Sequence, residues 1–340
     1  MPTLRCVLLI LAFVCLLPIA KAQELQIYFL DVDGGQATLI VVDGKASMLV
    51  DAGWPGFEGR DTLKILAAAK DAGISRLDIM FTTHYHTDHV GGVPQLAAKL
   101  PITRFVDHGP VLEKSENASR LYQRYLEVRA KGEHQRVSAG DSFRLGNATL
   151  HVVSARKELT RRALRARSAG ATPEACKDAS TMPGDNSENE MSIGTVLEYG
   201  RFRFLNLADL LWNEEQALAC PVNKIGDIDL MLSTHHGFRT SNNPVLVRAV
   251  APRVVVMNNG AKKGGDPERW RTIRAIKDFG PFYWQTQKSV LEGGAHNVPD
   301  DYIAALEAQD EPAWIKVVAH KDGSFRVINS RNGKTVYYRK

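Results

Sequence analysis

Apolar and polar side chains alternate over residues 25–32, which predicts a first strand. Two further apolar runs, 37–42 and 46–51, flank Asp43-Gly44, a two-residue hairpin signal. Residues 60–72 place Leu63, Leu66 and Ala67 at helical spacing and stop at Gly73. A strand over 77–81 follows, then a short helix over 93–100, a strand over 104–107 and a helix over 115–130. The next strand, 148–153, runs into a stretch over 155–169 crowded with arginine, which reads as a solvated helix. Residues 170–188 are rich in Ser, Thr, Pro, Gly and Asp and read as an excursion or lid loop.

Strands over 194–199 and 201–207 form another hairpin, followed by a helix over 213–219 and a strand over 229–232. Helix and strand then alternate: helix 244–250, strand 253–257, helix 267–279, strand 282–284. Strands over 315–319, 325–328 and 335–338 are joined by turns at Asp322-Gly323 and Asn332-Gly333. This order fits an α/β chain of two mixed sheets packed face to face with helices outside. No solenoid repeat, linker or second domain is visible in it.

The N-terminal residues stand apart from that pattern. Arg5 precedes an apolar run over 7–17, then Pro18 and the small-x-small site Ala20-Lys21-Ala22. This is the layout of a signal peptide over 1–22, with the mature chain over 23–340 exported to the periplasm or beyond. The run is short for a membrane span, and an uncleaved anchor is the lesser reading. Leu11 to Val14 lack the small residue that a lipoprotein signal places before its cysteine, Cys15. Cleavage removes Cys6 and Cys15 and leaves Cys176 and Cys220. That even pair in an oxidising compartment forms either a disulfide or two buried thiols, and the sequence alone leaves both open.

The chain has 340 residues, 44% hydrophobic and 24% charged, so it is long enough for a sizeable core. Without Arg5 and Lys21 the chain carries 41 basic and 38 acidic residues, a net +3 that does not by itself announce a polyanion binder.

The chemistry concentrates in His84-Tyr85-His86-Thr87-Asp88-His89, directly after the strand over 77–81. Three imidazoles and a carboxylate in six positions, with no cysteine nearby, are the ligand types of a hydrolytic rather than a structural zinc site. A polar loop that happens to be rich in histidine is the bland alternative.

The H-x-H-x-D-H pattern resembles the signature of the metallo-β-lactamase fold superfamily, a four-layer αββα sandwich. Within it, three further segments recur in the same order in the hydrolase domain of ComEC-type DNA-uptake proteins. They are Asp31-Val32-Asp33-Gly34-Gly35-Gln36, Asn189-Glu190-Met191-Ser192, and Ser233-Thr234-His235-His236-Gly237. The resemblance implies that His84 and His86 hold one metal ion, and that Asp88, His89 and His235 hold a second. Asp209 would bridge the two; its alternative is a helix N-cap. Asp51 would support the metal loop as a buried partner of the ligands. The ions implied are one or two Zn2+ per chain, with Mn2+ or Fe as alternatives.

The superfamily normally adds a histidine at the end of the strand that here reads Leu150-His151-Val152-Val153-Ser154. Ser154 aligns there and is a poor zinc ligand, and strand periodicity puts His151 on the opposite face. The ions would lower the pKa of a bound water, and the resulting hydroxide would attack a phosphorus or carbonyl centre. Asp88 and His236 are the expected catalytic residues, His236 protonating the leaving group, with His108 and His296 as further candidates beside substrate. Asn189 is a candidate contact to a substrate phosphate or carbonyl.

These residues imply an exported metal-dependent hydrolase of a small-molecule phosphoester or phosphodiester. Hydrolysis of a lactone or β-lactam carbonyl is one alternative, and a non-catalytic metal-binding module of the same fold is another. The basic stretch holding Arg156, Lys157, Arg161, Arg162, Arg165 and Arg167 would favour a polyanion if it covered the cleft. No aromatic residues are interleaved with it, which weakens nucleic acid as a partner.

Overall fold

The computed structural model describes residues 23–268, 273, 282–307 and 311–340. The expected leader over 1–22 and most of the helix expected over 267–279 lie outside the described residues.

Strands β1 (Leu25–Leu30), β2 (Thr38–Val42), β3 (Ala46–Val50), β4 (Leu77–Phe81), β5 (Ile102–Asp107) and β6 (Glu133–Arg136) come first. Then follow β7 (Ser142–Leu145), β8 (Ala148–Ala155), β9 (Glu158–Leu159), β10 (Gly194–Tyr199), β11 (Phe202–Asn206), β12 (Leu230–Leu232), β13 (Val254–Met257), β14 (Tyr283–Gln287) and β15 (Ile303–Ala305). The chain ends with β16 (Trp314–Ala319), β17 (Phe325–Asn329) and β18 (Thr335–Tyr338). One sheet has the order β18-β17-β16-β1-β2-β3-β4-β5-β6; the other runs β15-β14-β13-β12-β11-β10-β8-β7, with β9 attached to β8. Each sheet is antiparallel on one side and parallel on the other. The change comes at β3 in the first and at β11 in the second.

Period-two alternation explains the layers. In β1, Ile27 and Phe29 face the second sheet, and Tyr28 and Leu30 face helices outside. Phe29 meets Phe204 of β11 edge to face across the sandwich, with ring centroids 5.6 Å apart. Helices α1 (Arg60–Ala72) and α4 (Glu116–Arg129) cover the first sheet through Ile65, Ala68, Leu121 and Tyr125. Helices α5 (Trp212–Ala219) and α6 (Pro244–Val250) cover the second through Leu218, Leu246 and Val250. Two short helices, α2 (Thr87–Val90) and α3 (Val93–Ala97), follow β4. Strands buried on both faces lose their amphipathic alternation, which is why Thr38–Val42 reads as a near-continuous apolar run. The four layers are the expected αββα arrangement.

Some local readings change. The buried face of α1 is Asp61, Thr62, Lys64, Ile65, Ala68, Ala69 and Ala72, while Leu63 is 54% exposed. The apolar spacing misled there because Lys64 goes inside to meet Asp31, Nζ to Oδ2 3.4 Å. The arginine-rich stretch is not a helix. It leaves β8 through a turn in which Arg156 and Lys157 have positive φ, forms β9, and continues as irregular chain. Its backbone is held at the start by Arg156 N–H to Met191 O and Lys157 N–H to Glu190 O. Strands β6, β7, β9 and β15 have no counterpart in the sequence reading; all are short, and β6 and β7 are largely exposed. Cys176 and Cys220 form a disulfide that ties the 170–188 excursion to the end of α5. No helix among the described residues is long and apolar enough to cross a membrane.

Candidate metal centre

Three turns at the carboxyl ends of strands converge where the two sheets change from antiparallel to parallel. The chain leaves β4 into His84, His86, Asp88 and His89; it leaves β11 into Asp209, and β12 into His235 and His236. Two of the turns pass through the left-handed region at residues other than glycine, Ala208 (φ 50) and both His235 and His236 (φ 53), and Asp51 (φ 57), whose carboxylate supports the first turn, does the same. Such backbone costs on the order of 1–3 kcal/mol per residue and persists where surrounding structure over-determines it.

Asp209 is the centre of the cluster. Its Oδ2 lies 3.3 Å from His89 Nε2, 3.4 Å from His236 Nε2, 3.5 Å from His235 Nε2 and 4.0 Å from His84 Nε2. Asp88 Oδ2 lies 3.3 Å from His89 Nε2 and 3.2 Å from His236 Nε2. His84 Nε2 and His86 Nδ1 are 3.1 Å apart, and His89 Nε2 and His236 Nε2 are 3.2 Å apart. Two groups of ligand atoms result: Asp88, His89, Asp209 and His236, and His84, His86 and Asp209.

The outer nitrogens show which lone pairs face inward. Asp51, fully buried, accepts from His89 Nδ1 (2.8 Å) and from Thr83 Oγ1 (2.7 Å) and Thr83 N (2.9 Å). The Thr83 hydroxyl spends its proton on Asp51, so it accepts from His84 Nδ1 at 3.1 Å. Asp51 and Thr83 thereby occupy the Nδ1 atoms, and both His84 and His89 turn Nε2 toward Asp209. His86 Nε2 pairs with Glu113 Oε2 at 3.2 Å, leaving Nδ1 for the cluster. Glu113 is held in turn by Ser115 Oγ (2.6 Å) and by Glu188, which accepts from Glu113 N (3.0 Å) and Leu112 N (2.7 Å).

Electrostatics follow from burial and mutual fields. Burial pushes the Asp88 carboxyl up, but His89, His236 and Lys263 more than reverse it and hold it well below the usual range. Asp209 is lowered in the same way by His89, His236 and His235. Burial depresses His84, with His89 and His86 adding to it, so its ring is a neutral donor. Burial also lowers His89, yet Asp209, Asp88 and Asp51 outweigh it and raise the ring well above the ordinary histidine value. Burial lowers His235 to about 4.

A divalent cation fits this donor set. The atoms are all imidazole nitrogen and carboxylate oxygen, several inward pairs are lone pair against lone pair, and Asp209 Oδ1 and His236 Nδ1 have no hydrogen-bond partner among the described residues.

The positions of the other expected residues differ in kind. His236, expected to move a proton, lies inside the ligand-atom group with a fully buried side chain. His235, expected as the ligand, lies at its edge, with Nδ1 3.2 Å from Thr240 Oγ1 and 3.3 Å from Ser241 Oγ. Consecutive left-handed residues turn the second imidazole inward rather than the first. Ser154 is buried, donating to Ser192 O (3.1 Å) and accepting from Gly194 N (2.8 Å). His151 faces the other way, toward Glu198 and Ser142. His108 is buried against Glu188 (3.3 Å), and His296 pairs with Glu292 on its own turn; neither contacts the cluster directly. Asn189 donates to Asp185 (3.2 Å), and its Oδ1 has no hydrogen-bond partner among the described residues.

Four contributors were not singled out from the sequence: Thr83, Glu113, Glu188 and Lys263. The two glutamates sit in charged runs with no distinguishing pattern. Lys263 is followed by Gly264 and Gly265, both at positive φ, and that pair marked a tight turn.

Residues 30–160 match the family model described as the Metallo-beta-lactamase superfamily. The chain is 35% identical over 94 residues to a hydroxyacylglutathione hydrolase of Stenotrophomonas maltophilia, covering 28% of this chain and 33% of that one. It is 24% identical over 237 residues to Recombination protein 2 of Haemophilus influenzae, covering 69% of this chain and 24% of that one. The chain therefore spans a third or less of the curated relatives it matches. The crystal structure of the metallo-beta-lactamase fold protein YhfI from Bacillus subtilis covers 77% of this chain and 95% of its own, with 10% identity and a TM-score of 0.46. Residues 30–160, which carry His84 to His89 inside the two-sheet sandwich, are therefore similar in sequence to the metallo-β-lactamase superfamily.

Proposed function

We propose that the protein is a metal-dependent hydrolase of phosphoesters, phosphodiesters in particular. The observation that carries this reading is the pair of ligand-atom groups sharing Asp209, buried at the strand ends. Bound divalent cations there supply Lewis-acid polarisation and a water that is acidic near neutral pH.

The chain's own residues do the rest. His84, His86 and Asp209 hold one position; Asp88, His89, His236 and Asp209 hold the other. Asp51 and Glu113 fix the imidazole tautomers from outside the cluster. His235 stands at the edge, 15% exposed at the side chain and beside Asp209, where it can exchange a proton with a leaving group. Asn189 Nδ2 donates to Asp185, whose carboxyl feels the His235 ring.

The Stenotrophomonas relative is by name a hydrolase, which supports the reaction class. The zinc identity and export belong to the same proposal. Export is supported by the leader pattern over 1–22 and by the Cys176–Cys220 disulfide, which suits an oxidising compartment.

The test is turnover of bis-p-nitrophenyl phosphate and single-stranded DNA by zinc- or manganese-loaded protein, beside nitrocefin and a lactone panel. Diester cleavage that disappears in Asp88→Ala supports the reading. Cleavage of the carbonyl panel alone replaces it with acyl hydrolysis. No turnover, with Asp88→Ala indistinguishable from wild type, overturns it.

A further inference from the structure

The loop 258–266 is built into the metal centre through Asp88 and the His236 turn. Gly260 N–H donates to Lys263 O (2.8 Å) and closes a tight turn. Gly265 N–H donates to His236 O (2.8 Å) and Asp266 N–H to Gly237 O (3.0 Å), which fixes the loop on the His236 turn. Asn258 Nδ2 donates to Gly35 O (3.3 Å), and a Cβ on Gly34 would lie 2.9 Å from both Lys263 Cβ and Gly260 N. The Asp31-Val32-Asp33-Gly34-Gly35-Gln36 segment is thus the bed on which the Lys263 stem lies.

The Lys263 ammonium has three placed neighbours. Nζ donates to Gly34 O (2.7 Å), pairs with Asp88 Oδ2, and stands 5.1 Å from the Trp54 ring centroid. The side chain keeps 29% of its surface exposed. Two of these neighbours, a backbone carbonyl and an aromatic face, hold the cation without neutralising it. The third, Asp88 Oδ2, also belongs to the ligand-atom group, so its charge is shared with whatever cation occupies that group. A pre-positioned ammonium beside a cation site is unfavourable unless an anion joins it.

We propose that Lys263 is the anion-recognising residue of this site, donating to a non-bridging oxygen of a phosphate-type substrate group while the scissile centre lies over the Asp88, His89, Asp209 and His236 group. This deepens the hydrolase reading and rests on it for the word substrate; the anion subsite itself is tested without turnover. It also separates a phosphoester from a neutral lactone, because the lactone brings no charge for the ammonium to meet.

The experiment is calorimetric titration of inorganic phosphate into zinc-loaded wild type, Lys263→Met and Lys263→Arg, with zinc per chain measured on each sample. KM and kcat for bis-p-nitrophenyl phosphate are measured alongside. The expected result is about tenfold or greater weakening of phosphate binding in Lys263→Met, partial retention in Lys263→Arg, unchanged zinc per chain, and a rise in KM that exceeds the fall in kcat. Equal phosphate affinity in Lys263→Met and wild type overturns the proposal. So does a loss that tracks lost zinc and is reversed by excess zinc, which makes Lys263 a counter-ion of Asp88 only. Phosphate binding that depends on Lys263 in a protein that cleaves no diester upholds the subsite and overturns the hydrolase reading instead.

Discussion

The Asp51 carboxylate, itself no ligand-group member, sits 2.8 Å from His89 Nδ1 and holds the His84 side through Thr83. One buried carboxylate therefore sets the tautomers of imidazoles in both ligand-atom groups. Asp51→Asn keeps the volume and loses the charge. It is expected to weaken metal binding about 10- to 100-fold, read by chelator competition, with the thermal transition of the chelated protein little changed. Affinity equal to wild type would show that the ligands orient themselves.

His235 and His236 are neighbours with different surroundings. His236→Ala is expected to remove one tightly held metal equivalent, read as zinc per chain after desalting. His235→Ala should retain that equivalent and lower turnover. The reverse assignment would follow if His235→Ala alone lost metal.

Ser154 occupies the position where a further histidine would align, but its hydroxyl already joins Ser192 O and Gly194 N in a fully packed corner. A Cβ on Gly194 would lie only 2.5 Å from that Oγ. Ser154→His is expected to overpack the corner, costing about 1–3 kcal/mol in denaturant unfolding, and to add no metal equivalent. A gain of one zinc per chain would refute this.

Lys64 and Asp31 form a pair with both side chains 1% exposed. Burial raises Asp31 from 3.8 to about 6, with Lys64 opposing the rise. A carboxyl raised in the folded state binds its proton more tightly there than when unfolded. Its contribution to stability is therefore complete below about 3.8 and is lost as pH rises through about 6. Lys64→Met strands the carboxylate where it is ionised, so the variant should lose about 3–5 kcal/mol at pH 8 and distinctly less at pH 5. Equal losses in urea melts at the two pH values would contradict a paired carboxylate.

The disulfide closes a loop with a sequence separation of 44 residues. Replacing both cysteines by serine is expected to cost about 3–4 kcal/mol, seen as a lower unfolding midpoint. The chain without residues 1–22 should gain two alkylation masses only after reduction.

Much of the fold was legible because strand and helix periods survive in sequence. Gly194–Tyr199, Pro244–Val250 and Thr335–Tyr338 match their patterns end to end. Exposed β6 and β7 were not legible, since a strand with little buried surface carries little hydrophobic signal. The buried face of α1 departs from the Leu63, Leu66 and Ala67 spacing because Lys64 turns inward to an acidic partner 33 residues away in sequence. In the metal centre, the six-residue motif gave four donors at once, because their convergence needs only one turn. The choice between His235 and His236 depends on two φ values of 53°, which no spacing encodes. Glu113, Glu188 and Lys263 reach the centre through loops, and loop geometry is set by tertiary contacts rather than by local periodicity.

The donors come from both halves of the molecule: His84, His86, Asp88 and His89 from the first sheet, Asp209 and His236 from the second. A cation held between them acts as a rivet through the sandwich, fastening at its rim two layers otherwise joined by apolar packing such as Phe29 against Phe204. Its binding free energy is then felt as mechanical cohesion of the whole sandwich and not only as occupancy of a site. The melting temperature of the chain becomes a gauge of which ion it prefers, readable before any substrate is found.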